Sequence, residues 1–360
     1  MRGRDHWIAP LPVAAHHGAD CSAAPATHAV YDVDQAVYLC NDHMMTAIDG
    51  GAYGLIYLTP NHMVDFSAGE AVISFDMSTF RSSPRDWVDL WISPYDDHVQ
   101  LPLQEWLPDL SGEPRNSVHV TLDLGGGFFR GTLVRDFDVQ DLPLKTDRGY
   151  EDVLSPSAVR RDSFELRISR TSLKFGMPQY DLWWVDTTFA DLGWDRGVVQ
   201  FGHHSYTPDK CDGVCGPNTW HWDNMAIEPA VPFAMLKADR RYVNKDTDPS
   251  VTFAGPAPAD SNLRFAGIGN NLQVSLDDGA SWFYARPRQQ KRAKDEAFKS
   301  YWLPVPEGTQ RVQFRGEGWW GGNWHVSDLS IWSRTAAAQP AGGSSCNAGG
   351  ACSNEGGAEE

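Results

Sequence analysis

Two stretches of this 360-residue chain concentrate the residue types that do chemistry. The first is Asp86-Trp-Val-Asp-Leu-Trp-Ile-Ser93. Read as a strand, it sends alternate side chains to opposite faces. Trp87, Asp89 and Trp91 then share one face, and Val88, Leu90 and Ile92 the other. Burying the aliphatic side is favourable and burying an unpaired carboxylate is not, so the aliphatic face is the expected core. Two indoles are left flanking a carboxylate. Indoles stack on the C–H faces of sugar rings, and carboxylates accept hydrogen bonds from hydroxyl pairs. The pattern also fits a Trp pair packed under a long loop, with Asp89 bonded to an arginine such as Arg85.

The second stretch holds Gln200, His203, His204, His221, Trp222 and Asp223. Val198–Tyr206 and Trp220–Ile227 could pair as antiparallel strands around the loop 207–218, bringing ring nitrogens and a carboxylate together. Neutral imidazole serves as a general base near neutral pH or as a metal ligand. His203 and His204 point to opposite faces of a strand, so at most one joins such a site. The catalytic candidates are therefore Asp89, His204, His221 and Asp223; the substrate-binding candidates are Trp87, Trp91, Gln200 and Trp222. Histidines bonded to loop backbone at a sheet edge are the competing reading. His43, beside Cys40, is a third isolated candidate. Hydrolysis by a carboxyl pair needs two acids at a defined separation, and Asp86, Asp89, Glu165, Asp186 and Asp223 are the available members. Gly125-Gly-Gly127 lacks the Lys-Ser and helix of a phosphate loop. There is no Gly-x-Ser-x-Gly elbow. Trp319-Trp-Gly-Gly-Asn-Trp-His325 groups three indoles, for ligand stacking or for packing between domains.

The six cysteines fall into near-neighbour pairs, Cys21/Cys40, Cys211/Cys215 and Cys346/Cys352. Such pairing predicts disulfides in an oxidising compartment, with Cys21–Cys40 and Cys211–Cys215 as the structural bridges. Zinc at Cys211/Cys215 is the rival, given His203, His204 and His221, but no second Cys pair lies nearby. The opening residues, MRGRDHWIAPLPV, lack the apolar core of a signal peptide, so a secreted, extracellular location rests on the cysteines alone.

These side chains must be positioned by β-structure. Gly 33, Pro 23 and Trp 15 suit short strands joined by tight turns. Strand-like runs follow one another at Tyr53–Pro60, Ala71–Met77, Trp87–Ser93, Val118–Leu122, Phe164–Ile168, Leu182–Val185, Val198–Phe201 and Trp220–Ile227. Phe164 to Phe175 reads as a hairpin around Arg170-Thr-Ser172. A break near 229–250 precedes a second all-β series, which includes a hairpin turn at Asp277-Asp-Gly279. The stretch 286–299 is the one short helix candidate. The expected organisation is an irregular segment 1–28, a first sandwich 29–232, a small β-sandwich 250–334, and a flexible Gly/Ser/Cys tail 335–360. With 30 basic and 47 acidic residues the formal charge is −17. That balance excludes nucleic-acid partners, which need clustered positive charge. No apolar run is long enough for a membrane span.

In the order of these pieces, Ala29 to Pro229 resembles the concanavalin A-like lectin and glucanase superfamily. The early strands, the Trp87–Ser93 strand, the Phe164–Phe175 hairpin and the closing Trp222-Asp-Asn-Met-Ala-Ile227 strand carry the resemblance. It implies a jelly-roll fold that binds or cleaves polysaccharide on its concave sheet. It also leaves room for a structural calcium, with no other cofactor implied. The Glu-x-Asp-x-Glu or Glu-x-Asp-x-x-Glu strand of the glucanases is missing: Asp86-Trp-Val-Asp-Leu-Trp91 has one carboxylate fewer and different spacing. The second series is similar to small β-sandwich accessory modules. The expectation is an all-β, extracellular protein that binds or processes a glycan through a Trp/Asp-lined face. A hydrolase or lyase using the His/Asp cluster is one alternative, and a structural or adhesion protein another.

Overall fold

A computed structural model describes residues 7–8, 13–16, 28–30, 33–40, 43–49, 54–81, 87–98, 114–123, 128–146, 162–205, 217–240, 242–246, 248–268, 271–287, 299–316 and 324–334. The protein is all-β, and its described strands form two pairs of sheets.

The first pair is a large sandwich. Its front sheet runs in the order Trp7–Ile8, Gly54–Pro60, Arg196–Ser205, Trp87–Ser93, Ser117–Asp123, Phe128–Arg135 and Asp138–Asp141. His62–Asp65 extends it beside Arg196–Val198, and Ala230–Pro232 pairs with His62–Asp65. The back sheet runs Leu182–Thr188, Ser172–Met177, Asp162–Ile168, Ala71–Arg81, Pro217–Glu228, His43–Asp49, Val33–Cys40 and Val13–His16. Its pairings are antiparallel except that of Val13–His16 with Val33–Cys40. The Asp162–Ile168 and Ser172–Met177 strands form the expected hairpin, closed by Ser169 N donating to Ser172 O at 3.0 Å.

Alternation explains the core. Val88, Leu90 and Ile92 of the front sheet face Ile73, Phe75 and Met77 of the back sheet, all buried. Phe75 stacks on Phe164 at 5.6 Å and meets Phe201 edge-on at 5.2 Å, so aromatic rings bridge the sheets.

The second pair is smaller and has its own core, including Leu263, Phe265, Val312, Phe314 and Ile331. One sheet runs Ala234–Lys237, His325–Ser333, Ser261–Ile268, Lys299–Val305, with Tyr242–Asn244 also on His325–Ser333. The other runs Ser250–Thr252, Arg311–Gly316, Leu272–Ser275, Phe283–Tyr284. The Asp277–Gly279 turn forms as read, with Asp278 and Gly279 in the left-handed region at φ 56° and 88°.

Two expectations are corrected. The segment 1–28, read as irregular, supplies strands: Trp7–Ile8 adds an edge to the front sheet and Val13–His16 to the back. Ala234–Lys237 and Tyr242–Asn244 lie in the stretch read as a connection, yet both pair with His325–Ser333. Short two- to four-residue strands on an existing edge need no periodicity of their own. The helix candidate beyond Pro287, Gly125–Gly127, Trp319, Trp320, the tail 335–360 and Cys21, Cys211, Cys215, Cys346 and Cys352 lie outside the described residues. Of Cys40 only the backbone is described, at the end of Val33–Cys40.

The two sandwiches meet through a distinct cluster of Met63, Tyr95, Val198, Phe233 and Trp332. At its centre Arg264 is 2% exposed. Its guanidinium lies 3.9 Å from the Trp332 ring, 4.0 Å from Trp302 and 4.3 Å from Tyr95. Nη2 donates to the Tyr95 carbonyl at 3.1 Å. His98 stacks on Trp332 at 4.6 Å, and Arg334 pairs with Asp96 at the rim.

Candidate functional site

The outer face of the front sheet collects side chains from four adjacent strands. Asp89 stands opposite Gly202 on one neighbour and Thr121 on the other. Trp91 lies between Gln200 and His119, Trp87 lies beside His204, and Tyr57 stands opposite Gly202. Cross-strand partners share a face, so Tyr57, Asp89, Trp87, Trp91, His119, Thr121, Gln200 and His204 all project outward. On Trp87–Ser93 and Ser117–Asp123 the sequence does this locally, with aliphatic residues inward and polar or aromatic ones outward.

Asp89 is the hub, with its side chain 2% exposed. Four groups converge on its Oδ2: His204 Nε2 at 2.9 Å, Trp91 Nε1 at 2.9 Å, His119 Nε2 at 3.1 Å and the Tyr57 hydroxyl at 3.2 Å. The Tyr57 hydroxyl is also 3.3 Å from His204 Nε2, and Thr121 Oγ1 is 3.1 Å from His119 Nε2. Each imidazole rests flat against an indole: His119 on Trp91 at 3.6 Å and His204 on Trp87 at 4.6 Å. Two Trp–His pairs thus flank one carboxylate. The carboxylate acts as acceptor, so each Nε2 is best placed as the N–H, which leaves Nδ1 as the basic nitrogen. The carboxylate lies across Gly202, where a β-carbon would come within 1.9 Å of Oδ1. Gly202 is therefore required for Asp89 to occupy this place.

Electrostatics follow from this packing. Burial alone would raise the Asp89 carboxyl, but the neighbouring His204 and the hydrogen bond from His119 outweigh it. The group is held well below the usual carboxylate range and stays ionised. Burial and the Asp89 charge push the Tyr57 hydroxyl well above its ordinary 10.0, so it remains a donor. Burial lowers His119 from its ordinary 6.5, against the pull of Asp89. Two buried acceptors on this face, Asp89 Oδ1 and Gln200 Oε1, take no hydrogen bond among the described residues. Gln200 instead donates through Nε2 to Thr59 Oγ1 at 3.3 Å.

Trp87, Asp89, Trp91, Gln200 and His204 are thus brought together. Trp91 is 5% exposed, however, so it forms part of the buried base rather than an open stacking surface. The other candidates do not join. Arg196–Ser205 and Pro217–Glu228 lie in different sheets, not side by side as expected, so His204 and His221 are separated by the whole core. Trp222 points into that core, 3% exposed, where its Nε1 donates to Thr46 Oγ1 at 3.1 Å. His221 and Asp223 alternate with Trp220 and Trp222 and so face outward from the back sheet, Asp223 opposite Asp76. Glu165 pairs with Arg167 at 2.5 Å, and Asp186 with Lys145 at 2.6 Å. Asp86 is outside the described residues, as is the His43 side chain. Among the described residues no group of three or more His, Cys, Asp or Glu is arranged to hold a metal ion.

Tyr57, His119 and Thr121 were missed in sequence. Their signal is the same alternation seen around Asp89: Val118, Val120 and Leu122 face the core, leaving His119 and Thr121 outside.

His203 faces inward, fully buried, with Nδ1 3.0 Å from Thr46 Oγ1. Burial, reinforced by His204, holds it well below the ordinary 6.5. It stays neutral in the fold while the unfolded chain takes up a proton below about pH 6.5. Stability therefore falls as pH drops below that value, by about 1.4 kcal/mol per pH unit for this group. His203→Leu is expected to flatten the slope by that one proton in urea melts between about pH 7 and about pH 5. An unchanged slope would contradict a neutral, buried His203.

No protein-family model matches the chain, and no curated protein is significantly similar to it. Among solved structures, it is similar to a Bacillus subtilis protein of unknown function with a galectin-like fold, at 12% identity and TM-score 0.38, covering 57% of this chain and 88% of that one. It is similar to a Bacteroides ovatus mixed linkage glucan GH16 in complex with the G4G4G3G product, at 9% identity and TM-score 0.37, covering 62% and 95%. A carbohydrate binding module from Bacillus subtilis matches at 8% identity and TM-score 0.31, covering 51% and 86%.

Proposed function

We propose that the chain binds a glycan on the outer face of the front sheet, around Asp89. The observation that supports this reading is a pair of buried acceptors, Asp89 Oδ1 and Gln200 Oε1, with no donor among the described residues, on a face lined by indoles, imidazoles and a tyrosine. Buried acceptors are costly unless hydrogen-bonded. Sugar hydroxyls are donors of the right size, and the half-buried Trp87 is the ring best placed to meet a sugar. An extracellular setting, inferred from the cysteine pairs, fits this reading.

Titration calorimetry with cello-, manno- and xylo-oligosaccharides tests it. Trp87→Ala is expected to weaken binding of whichever sugar the protein takes by about tenfold, in line with aromatic anchors at interfaces. Its melting temperature should stay close to wild type, because Trp87 is only partly buried. Trp91→Ala is a poor binding probe: it empties a packed position and costs stability. Equal binding by wild type and Trp87→Ala, or no binding to any glycan, would overturn the reading.

Catalysis is a second reading, favoured by the Asp89–His204 contact at 2.9 Å. A carboxylate holding one imidazole nitrogen orients the other as a general base. This moves the chemistry from His221 and Asp223 to the Asp89 cluster. Asp89→Asn that still binds sugar but no longer releases product would support it; no product from wild type would exclude it.

A further inference from the structure

The small sandwich carries a surface of a different kind, on the outer face of its four-stranded sheet. Gln273 pairs with Tyr284 on one side and Arg315 on the other, so the three form one row. Their neighbours Leu272, Val274 and Phe314 fill the core, which turns this row outward. Tyr284 is 54% exposed on an edge strand. The Arg315 guanidinium lies 4.2 Å over the Trp282 ring, and its Nε donates to Gln273 Oε1 at 2.6 Å. Trp282 is anchored in turn by donating to the Gly279 carbonyl at 3.1 Å.

The chain carries −17 overall, yet residues 286–299, RPRQQKRAKDEAFK, contain six basic and two acidic residues. That basic stretch begins two residues after Tyr284, and its first arginine, Arg286, is exposed. The nearby acids are occupied elsewhere: Asp277 accepts from Ser275 at 2.8 Å and from the Ser281 backbone at 2.9 Å, and Asp278 pairs with Arg311 at 3.3 Å. Among the described residues neither Arg315 nor Arg286 has a carboxylate partner. Arg315 is thus a stacked, oriented guanidinium whose terminal nitrogens have no partner among the described residues, a geometry suited to a bidentate anion.

We propose that Tyr284, Trp282 and Arg315 form a second binding surface, for a polysaccharide bearing carboxylate or sulfate groups. Tyr284 takes the face of a sugar ring, and the Arg315 fork, held by Trp282 and Gln273, takes the anion beside it. One oriented fork suits an anion repeated once per sugar. Nucleic acid needs many closely spaced phosphate contacts, which one oriented guanidinium on so acidic a chain does not supply.

The test is affinity electrophoresis and calorimetry of the full chain with polygalacturonate, dextran sulfate and neutral dextran. Wild type should bind at least one of the charged polymers and not dextran, and the one it binds identifies the anion. Tyr284→Ala and Arg315→Ala should each weaken that binding about tenfold with unchanged melting, as both residues are exposed. Arg315→Lys should restore only part, since an ammonium has no planar fork. Tyr284→Ala and Arg315→Ala should leave neutral-oligosaccharide binding at the front-sheet site unchanged, which separates the two surfaces. No binding to either charged polymer, wild-type binding by both alanine variants, or equal retardation by single-stranded DNA would overturn the proposal.

Discussion

Gly202→Ala is expected to destabilise the first sandwich by about 3–5 kcal/mol, combining overpacking with disruption of a buried charged cluster. The added β-carbon would stand 1.9 Å from Asp89 Oδ1 and 2.7 Å from Tyr57 Cε1. Neither group can simply swing away. Asp89 is a short side chain held on Oδ2 by Tyr57, Trp91, His119 and His204. Moving it strands a buried carboxylate, and the two histidines lose their orientation with it. Gly255→Ala is the matched control, because a β-carbon there meets nothing within 4 Å. Chemical denaturation of both variants decides the matter. A Gly202→Ala protein as stable as Gly255→Ala would mean that the carboxylate is not seated over Gly202.

Arg264→Ala is expected to uncouple the two sandwiches. The guanidinium is boxed by Trp332, Trp302 and Tyr95 within 4.3 Å and bonds the Tyr95 carbonyl, so it touches both halves at once. A desolvated cation–π contact is worth about 2 kcal/mol, and the contacts here share one cation, so they do not simply add. With the lost packing, a cost of about 3–5 kcal/mol is expected. Calorimetry should then show one wild-type transition split into two, because each sandwich keeps its own core. Arg264→Lys should behave like alanine in this respect, having no planar group to fill the box. A single transition at the wild-type temperature in Arg264→Ala would show that Met63, Val198 and Phe233 hold the interface without the cation.

Much of this site was legible from alternation alone. The Trp87–Ser93 strand puts Val88, Leu90 and Ile92 inside and Trp87, Asp89 and Trp91 outside, as its residue types require. Alternation also shows that His203 and His204 part company. It cannot assign a strand to a sheet. The Arg196–Ser205 and Pro217–Glu228 strands are close in sequence and similar in pattern, yet each is a central strand of a different sheet, paired with segments more than a hundred residues away. Pairing of that kind is set by the global fold and leaves no local trace, so sequence proximity alone groups His221 and Asp223 with His204. Trp222 was misplaced for a different reason. Trp220 and Trp222 alternate with His221 and Asp223, and the larger apolar set belongs inside. Tyr57 and His119 were invisible for want of register, since only the pairings of Gly202 with Tyr57 and of Trp91 with His119 bring them to Asp89.

The central claim is that a glycan engages the Asp89 cluster. Imidazole nitrogen spectra of the protein labelled in its histidines, recorded with and without the oligosaccharide that calorimetry selects, test it most directly. Without ligand, His119 and His204 should each carry a proton on Nε2, facing Asp89. On saturation, these two rings should shift, while His221, on the far side of the sandwich, and His203, in the core, should hold their positions. Shifts confined to His221, or none at either His119 or His204 while the sugar is bound, would place the glycan elsewhere and contradict the account.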